Sequence, residues 1–145
     1  MARIALTLLF GFFGAATLFA QSGPCTETMI KGGQLPAAAD AFAYMPPYGK
    51  PEVGKSAVQQ ADEKSFSDRT NVKSAWADNH RIVSSPSADM AYEYGTLHMS
   101  SDSKSKPGAA GHEEFDAVML IVYKANKGAC QQVALTMQPL EKSEH

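Results

Sequence analysis

The pattern of apolar and polar positions is most regular between residues 90 and 100, directly after the Ser- and Pro-rich segment 84–89. Successive side chains of a β-strand point to opposite faces, so this alternation predicts a strand that enters from a turn. One face carries Met90, Tyr92, Tyr94, Thr96 and His98, and the other carries Ala91, Glu93, Gly95, Leu97 and Met99.

The rest of the chain predicts one helix and several more strands. In Lys55–Phe66, Val58 and Ala61 lie on a modest apolar face with Asp62 opposite, which is typical of an amphipathic helix. The continuous apolar run within residues 115–124 predicts a central buried strand. Together the elements indicate an α+β domain with a curved, mostly antiparallel sheet of five or six strands wrapped around helices. Other strands are predicted at 41–45, 52–53, 71–84 and 129–137, a helical turn at 37–40, and loops at 101–111 and 126–128.

The first 20 residues have the pattern of a secretory signal peptide. Arg3 gives a short basic start, residues 4–19 are apolar, and Ala20 closes a cleavage-site pattern. The apolar run of about 16 residues is short for a membrane span, which needs roughly 18. The sequence therefore predicts a secreted or periplasmic protein with no membrane contact after cleavage, and a retained membrane anchor stays open as the alternative. The mature chain would comprise a poorly defined segment 21–40, a domain 41–139 and a tail 140–145.

The charge of the chain argues against two classes of partner. The 145 residues carry a formal charge of −2, and loss of Arg3 with the leader changes this to −3. There is no basic cluster to bind phosphate backbones or anionic lipid. Nucleic acid and membrane surfaces are therefore not expected as partners.

Two cysteines, Cys25 and Cys130, remain after cleavage. In an oxidising compartment they can form one disulfide between the new amino terminus and a late strand. The alternative is two separate thiols, with Cys130 buried as a small hydrophobic residue. Both alternatives stay open, because a sequence does not show whether two α-carbons come within bonding reach.

The order of these elements resembles the nuclear transport factor 2-like superfamily, in particular an uncharacterised bacterial branch of its SnoaL-like members. Three stretches carry the resemblance. They are Met45-Pro46-Pro47 with Gly49-Lys50-Pro51 and Val53-Gly54-Lys55; Trp76 with Val83-Ser84, Asp89-Met90-Ala91-Tyr92 and Tyr94-Gly95; and Val122-Tyr123-Lys124 before Gly128.

The resemblance implies a cone, in which a curved sheet wraps around helices and encloses an apolar cavity. Family members include ketosteroid-isomerase-like enzymes, polyketide cyclases and non-catalytic binding or dimerisation modules, which pair through the convex face of the sheet. A homodimer and a small apolar ligand are therefore expected. The chain departs from the family where Thr136-Met137-Gln138 replaces its usual acidic residue. This departure argues against a catalytic role carried over from the family.

Two short segments match the sequence expressions of known sites, but their residues do not suit the chemistry of those sites. Residues 49–56 match the expression of a phosphate-binding loop, yet Pro51 removes a backbone N–H and Glu52 adds negative charge beside the phosphates. The segment 112–116 begins like a zinc-protease motif, but Asp116 stands where the second histidine belongs. Neither a metal nor another cofactor is expected.

Weak catalytic candidates are His98, Asp78 and Glu93, because an acid or base enclosed in an apolar cavity can acquire a pKa suited to proton transfer. Asp89, in contrast, lies in a Ser/Pro turn and predicts a structural cap. Aromatic and thioether side chains suit a cavity wall, with plain core packing or a dimer face as the alternative. Those predicted to line a ligand pocket are Tyr44, Trp76, Met90, Tyr92, Tyr94, Met119 and Met137.

These features predict an exported domain that binds a small ligand or another protein without catalysis. The alternative is an isomerase- or cyclase-like enzyme that uses an inward carboxylate or histidine for proton transfer.

Overall fold

The computed structural model of the chain describes residues 23–33, 35–45, 49–106 and 108–140. The predicted signal peptide, residues 1–20, lies outside these ranges. Within them, no helix is both long and apolar enough to cross a membrane. The elements are α1 (Glu27–Lys31), β1 (Ala37–Tyr44), β2 (Glu52–Val53), α2 (Lys55–Phe66), β3 (Arg69–Trp76), β4 (Arg81–Ser84), β5 (Met90–Ser103), a 3-10 turn (Ala109–Gly111), β6 (His112–Asn126) and β7 (Ala129–Pro139).

The seven strands of the described residues form one curved, open sheet in the order β2-β1-β7-β6-β5-β3, and β4 pairs with β5. β5 and β6 are its longest pair and run antiparallel from Met90 opposite Lys124 to Asp102 opposite His112. β1 is parallel to β7, while the other pairs are antiparallel. The predicted α+β class with a mostly antiparallel sheet is confirmed.

The two faces of β5 differ in how far their side chains are buried. Ala91, Glu93 and Leu97 are buried on the concave face, while Tyr92 and Tyr94 are exposed on the convex face. Two inward residues, Ala91 and Gly95, are small because α1 and the turn at residues 77–80 lie against the concave face and leave little room. Gly95 shows this most clearly, since a Cβ built there would lie 2.8 Å from the Cα of His80.

The two helices cover different parts of the concave face. Near α1, Ile30 packs in a buried cluster with Ala91 and Tyr123. Near the end of α2, Phe66 packs against Ala117 and Met137. Each helix buries apolar side chains of the central strands, which supplies the main favourable free energy of folding.

A disulfide joins Cys25, just before α1, to Cys130 in β7, across 105 residues of sequence. Both cysteines belong to the buried cluster under α1. The backbone N–H groups of Gly23 and Cys25 donate to the carbonyls of Ser87 and Ala88. The amino-terminal segment is therefore attached both to β7 and to the turn before β5.

Some helices and strands lie where the sequence predicts them, and others do not. The helix has the predicted bounds, and β2 returns along β1 as expected. The single long strand at 71–84 is wrong, because residues 77–80 form a turn that separates β3 from β4. The helical turn at 37–40 is also wrong, since these residues extend β1 beside β7. β5 extends to Ser103, into the predicted loop 101–111, and α1 was not predicted.

Candidate functional site

The turn at residues 77–80 is attached to β5 at several points. The Asn79 side chain donates from Nδ2 to Thr96 Oγ1 at 2.9 Å and accepts from the Thr96 backbone N–H at 2.9 Å. The Ala77 N–H donates to the Thr96 carbonyl, and the His80 N–H donates to the Ala77 carbonyl. With Gly95 leaving space beneath the backbone, these bonds fix where His80 lies on the concave face.

His80, Glu93 and Tyr123 form a hydrogen-bonded group on that face. Glu93 Oε1 lies 2.8 Å from His80 Nε2, and the Tyr123 hydroxyl donates to Glu93 Oε2 at 2.7 Å. Trp76 stacks on the imidazole, with ring centroids 4.3 Å apart and an interplanar angle of 11°. Three strands and one turn therefore bring an imidazole, a carboxylate, a phenol and an indole together. We call this set the concave cluster.

The surroundings of the concave cluster are apolar. Glu93 is buried and lies opposite Ile82 of β4 and Ile121 of β6. Burial of a carboxylate is costly unless hydrogen bonds satisfy it, and here both oxygens have a partner. Burial raises the pKa of the Tyr123 phenol, and the hydrogen bond and negative charge of Glu93 raise it further. Tyr123 is therefore a neutral donor at ordinary pH.

The raised pKa of Tyr123 predicts a late step in an alkaline titration. Because the folded pKa exceeds the unfolded value of about 10, the contribution of this phenol to stability is complete below pH ~10 and is lost as pH rises toward the folded pKa. Following tyrosinate absorbance should show a last phase that coincides with unfolding. Tyr123→Phe should lose amplitude from that last phase. Loss of amplitude from the early phase instead would contradict the burial of this phenol.

The three catalytic candidates from the sequence lie in different places. Glu93 points inward, as part of the concave cluster. His98 is exposed on the convex face, with Nδ1 2.8 Å from Asp116 Oδ1. Asp78 is exposed in the turn rather than on a strand, and its carbonyl accepts from Arg81 Nη1. The structure therefore does not group these three.

His80 was not among the predicted site residues. The Asp78-Asn79 dipeptide is a turn signal, and it marks the place where the predicted strand 71–84 breaks. Reading that break would have placed His80 at the start of β4. Its contact with Glu93 depends on the pairing of β4 with β5, which local sequence does not show.

The seven residues predicted to line a pocket are divided between the two faces of the sheet. Trp76, Met119 and Met137 are buried or half-buried on the concave face. The four others are exposed, and three of these lie on the convex side of β5 because small residues occupy its inward positions. A single cavity wall formed by all seven is therefore not what the fold builds. The exposed four are Tyr44, Met90, Tyr92 and Tyr94.

The convex side of β4, β5 and β6 has an exposed apolar surface. Its side chains are 39–47% exposed, and they follow one another across neighbouring strands, with Val83 opposite Tyr92 and Tyr94 opposite Leu120. A groove of about 680 Å³ lies at the Met90 end of this surface, beside Pro86 and Val122. We call this surface the convex patch. It comprises Val83, Met90, Tyr92, Tyr94, Val118 and Leu120.

Asp89 holds the turn at the end of the convex patch. Its Oδ1 accepts from Ser85 Oγ at 2.5 Å and from Ser87 Oγ at 2.6 Å. These hydrogen bonds hold the pKa of Asp89 below its usual value. The backbone carbonyl of Asp89 accepts from the Ala125 N–H, which ties the turn to β6. Asp89 thus has the capping geometry that its Ser/Pro context predicts.

Two further polar groupings lie near the opposite end of β5 and β6. A small cleft of about 60 Å³ lies beside Phe66 and Phe115, and an Arg69–Glu113 ion pair of 2.7 Å lies at its edge. His112 lies between Asp102 and Glu114, whose hydrogen bonds raise its pKa. Among the described residues, no group of three or more His, Cys, Asp or Glu side chains is placed to hold a metal ion.

Comparison with known proteins identifies the fold. No protein-family model and no curated protein matches the sequence. Among solved structures, a nuclear transport factor 2-like superfamily protein from Salmonella enterica aligns with a TM-score of 0.62 at 11% identity, covering 78% of both chains. The chain has the nuclear transport factor 2-like fold.

Other structures with this fold differ widely in their described roles. A hexachlorocyclohexane dehydrochlorinase from Novosphingobium barchaimii aligns with a TM-score of 0.57 at 13% identity, covering 72% of this chain and 68% of that one. The CaMKII hub of S. rosetta aligns with a TM-score of 0.52 at 11% identity, covering 72% and 77%. The nuclear transport factor 2-like fold therefore occurs in both an enzyme and a hub domain, so function has to be argued from the surfaces of this chain.

Proposed function

We propose that this protein is an exported interaction domain that forms a homodimer through the convex patch. The observation that carries the proposal is the continuity of the patch over three neighbouring strands. Single exposed apolar side chains are ordinary on a protein surface, but a contiguous apolar surface marks an interaction site. The stacked rings of Tyr92 and Tyr94, 5.8 Å apart, suit the centre of an interface, where aromatic residues are enriched.

Charge at the two ends of the convex face favours a second copy as the partner. Lys124 lies at the Met90 end, while Asp116 lies at the His98 end. In a twofold dimer whose axis lies in the interface and runs across the strands, the same surface meets itself with the strand direction reversed. If the axis passes near Tyr94, Lys124 of each copy approaches Asp116 of the other. The same arrangement places apolar side chains of both copies together at the centre.

Export is supported by two features at the amino-terminal end. The first is the signal-peptide pattern of residues 1–20. The second is the disulfide between Cys25 and Cys130, because such bonds persist mainly in oxidising compartments. We therefore place the protein outside the cytoplasm, in the periplasm or the medium.

Tyr92→Asp should weaken the dimer strongly. A central aromatic residue often contributes about 2 kcal/mol to an interface, so we expect the dissociation constant to rise roughly 30-fold or more. Sedimentation velocity over a range of concentrations measures it. The control is Val72→Asp, because Val72 is similarly exposed at 46% but lies on β3, outside the patch. A monomeric wild type, or equal weakening by both substitutions, would contradict the proposal.

The second candidate function is proton transfer, and the burial of Glu93 beside His80 favours it. An enclosed carboxylate and imidazole are the groups that an isomerase- or cyclase-like enzyme needs. A purified mature chain should then turn over a small activated carbonyl compound, such as a steroid enone, and Glu93→Gln should slow the reaction by roughly 100-fold or more. Absence of turnover across a panel of such compounds would contradict the proton-transfer function, and the interaction role would then stand without it.

A further inference from the structure

We propose that His80 is the proton-accepting residue of a site on the concave face, and that Glu93 is its positioning residue. The inference deepens the second candidate function, on which it rests, and it is independent of the convex patch. In this proposal Glu93, which the sequence indicates as a candidate acid or base, orients the base His80 and does not itself accept the proton.

The hydrogen bonds of the concave cluster assign the protons. Tyr123 donates its hydroxyl proton to Glu93 Oε2, which leaves Oε1 as the acceptor for His80. A neutral imidazole carries one N–H, and here Nε2 must hold it in order to donate to the carboxylate. Nδ1 then presents a lone pair, and it has no hydrogen-bond partner among the described residues.

Accessibility separates the two members of the pair. The side chain of His80 is 23% accessible, whereas that of Glu93 is 10% accessible. The imidazole is therefore the more accessible member of the pair, and it is the group that a ligand would contact. Trp76 holds one face of the ring, and the hydrogen bonds of Asn79 to Thr96 hold the turn. A base that is oriented before the ligand arrives loses little entropy on binding.

The chemistry of the site selects a neutral, mainly apolar molecule that bears one weakly acidic hydroxyl, such as a phenol or an enol. Its O–H would donate to Nδ1, and its ring would contact Trp76. In the proton transfer, the ligand O–H bond breaks, an N–H bond forms at Nδ1, and the ligand becomes an oxyanion beside an imidazolium. The ionised carboxylate of Glu93 stabilises that imidazolium, and return of the proton reverses the step.

The tautomer of His80 tests the geometry without any assay of turnover. Nitrogen-15 NMR of the disulfide-bonded mature chain should show His80 protonated at Nε2, with Nδ1 bare. His98 is an internal reference of the opposite kind, because its Nδ1 faces Asp116. Glu93→Gln should give mixed tautomers at His80 and leave His98 unchanged. Protonation of His80 at Nδ1 in the wild type would overturn the proposal.

Binding of 2-naphthol tests the ligand class, with naphthalene as the probe that lacks the hydroxyl. In the wild type, 2-naphthol should shift the His80 Nδ1 signal and naphthalene should not. His80→Gln, whose amide can still donate to Glu93, should weaken 2-naphthol binding more than tenfold, while the surface control His98→Gln should not. Equal shifts from both probes, or unchanged 2-naphthol affinity in His80→Gln, would show that Nδ1 is not a ligand acceptor.

Discussion

Replacing both Cys25 and Cys130 by alanine should lower the free energy of unfolding by up to about 4–5 kcal/mol. The disulfide closes a loop of 105 residues, and the chain-entropy model assigns about this value to a loop of that size. Since small domains have a total stability of roughly 5–15 kcal/mol, this loss is a large part of the stability of the fold. In the folded state the segment before β1 is otherwise held by the packing of Ile30 and Leu35 and by backbone hydrogen bonds at Gly23, Cys25 and Pro36.

Urea denaturation of the wild type and the double variant measures the loss. Alanine is preferable to serine, because both positions are buried and a hydroxyl there would need a partner. Reduction of the wild type should give the same curve as the double variant. The unfolded, non-reduced wild type should contain no reactive thiol. Two reactive thiols per chain, or a double variant as stable as the wild type, would contradict the structural role of the disulfide.

Met137→Ala should cost about 2–5 kcal/mol, the range seen when a buried methionine is truncated in a core that cannot collapse. Met137 is 2% exposed and packs with Met45 and Ala117 under the end of α2. The same truncation at Met29, which is 49% exposed on α1, should change stability by less than about 0.5 kcal/mol.

Thermal or chemical unfolding of the two variants gives the comparison directly. It also decides between two interpretations of Met137, as a core residue or as the wall of an open pocket. If Met137→Ala were as mild as Met29→Ala, the side chain would face open space, and the packing described for the concave face would be incorrect.

The elements with strong local signals could be predicted from sequence. The helix Lys55–Phe66 has an apolar face and begins after a glycine with a positive φ of 95° at Gly54. The alternation in β5 was also predicted correctly, because its period of two is a property of the strand itself. Residues 37–40, in contrast, look helical by composition, and they are extended because β7 pairs with them.

Which face of β5 points inward could not be predicted from the alternation. Judged by hydrophobicity alone, the face of β5 that carries Tyr92 and Tyr94 would be expected to be the buried one. Here the buried side carries Ala91, Glu93 and Gly95, because α1 and the turn at 77–80 fill the concave space. For the same reason, Glu93 is a candidate that the sequence indicates, whereas His80 is not, because His80 reaches Glu93 only through long-range strand pairing. Sites assembled across strands depend on register, and register comes from the whole sheet.

Native mass spectrometry of the protein purified from its own host compartment tests the central claim most directly. We predict a dimer of chains that lack residues 1–20, each lighter by two hydrogens than the dithiol form, and a monomer when Tyr92 is replaced by aspartate. A wild-type chain that stays monomeric at micromolar concentration, or that keeps the leader and both thiols, would contradict an exported domain that pairs through its convex patch.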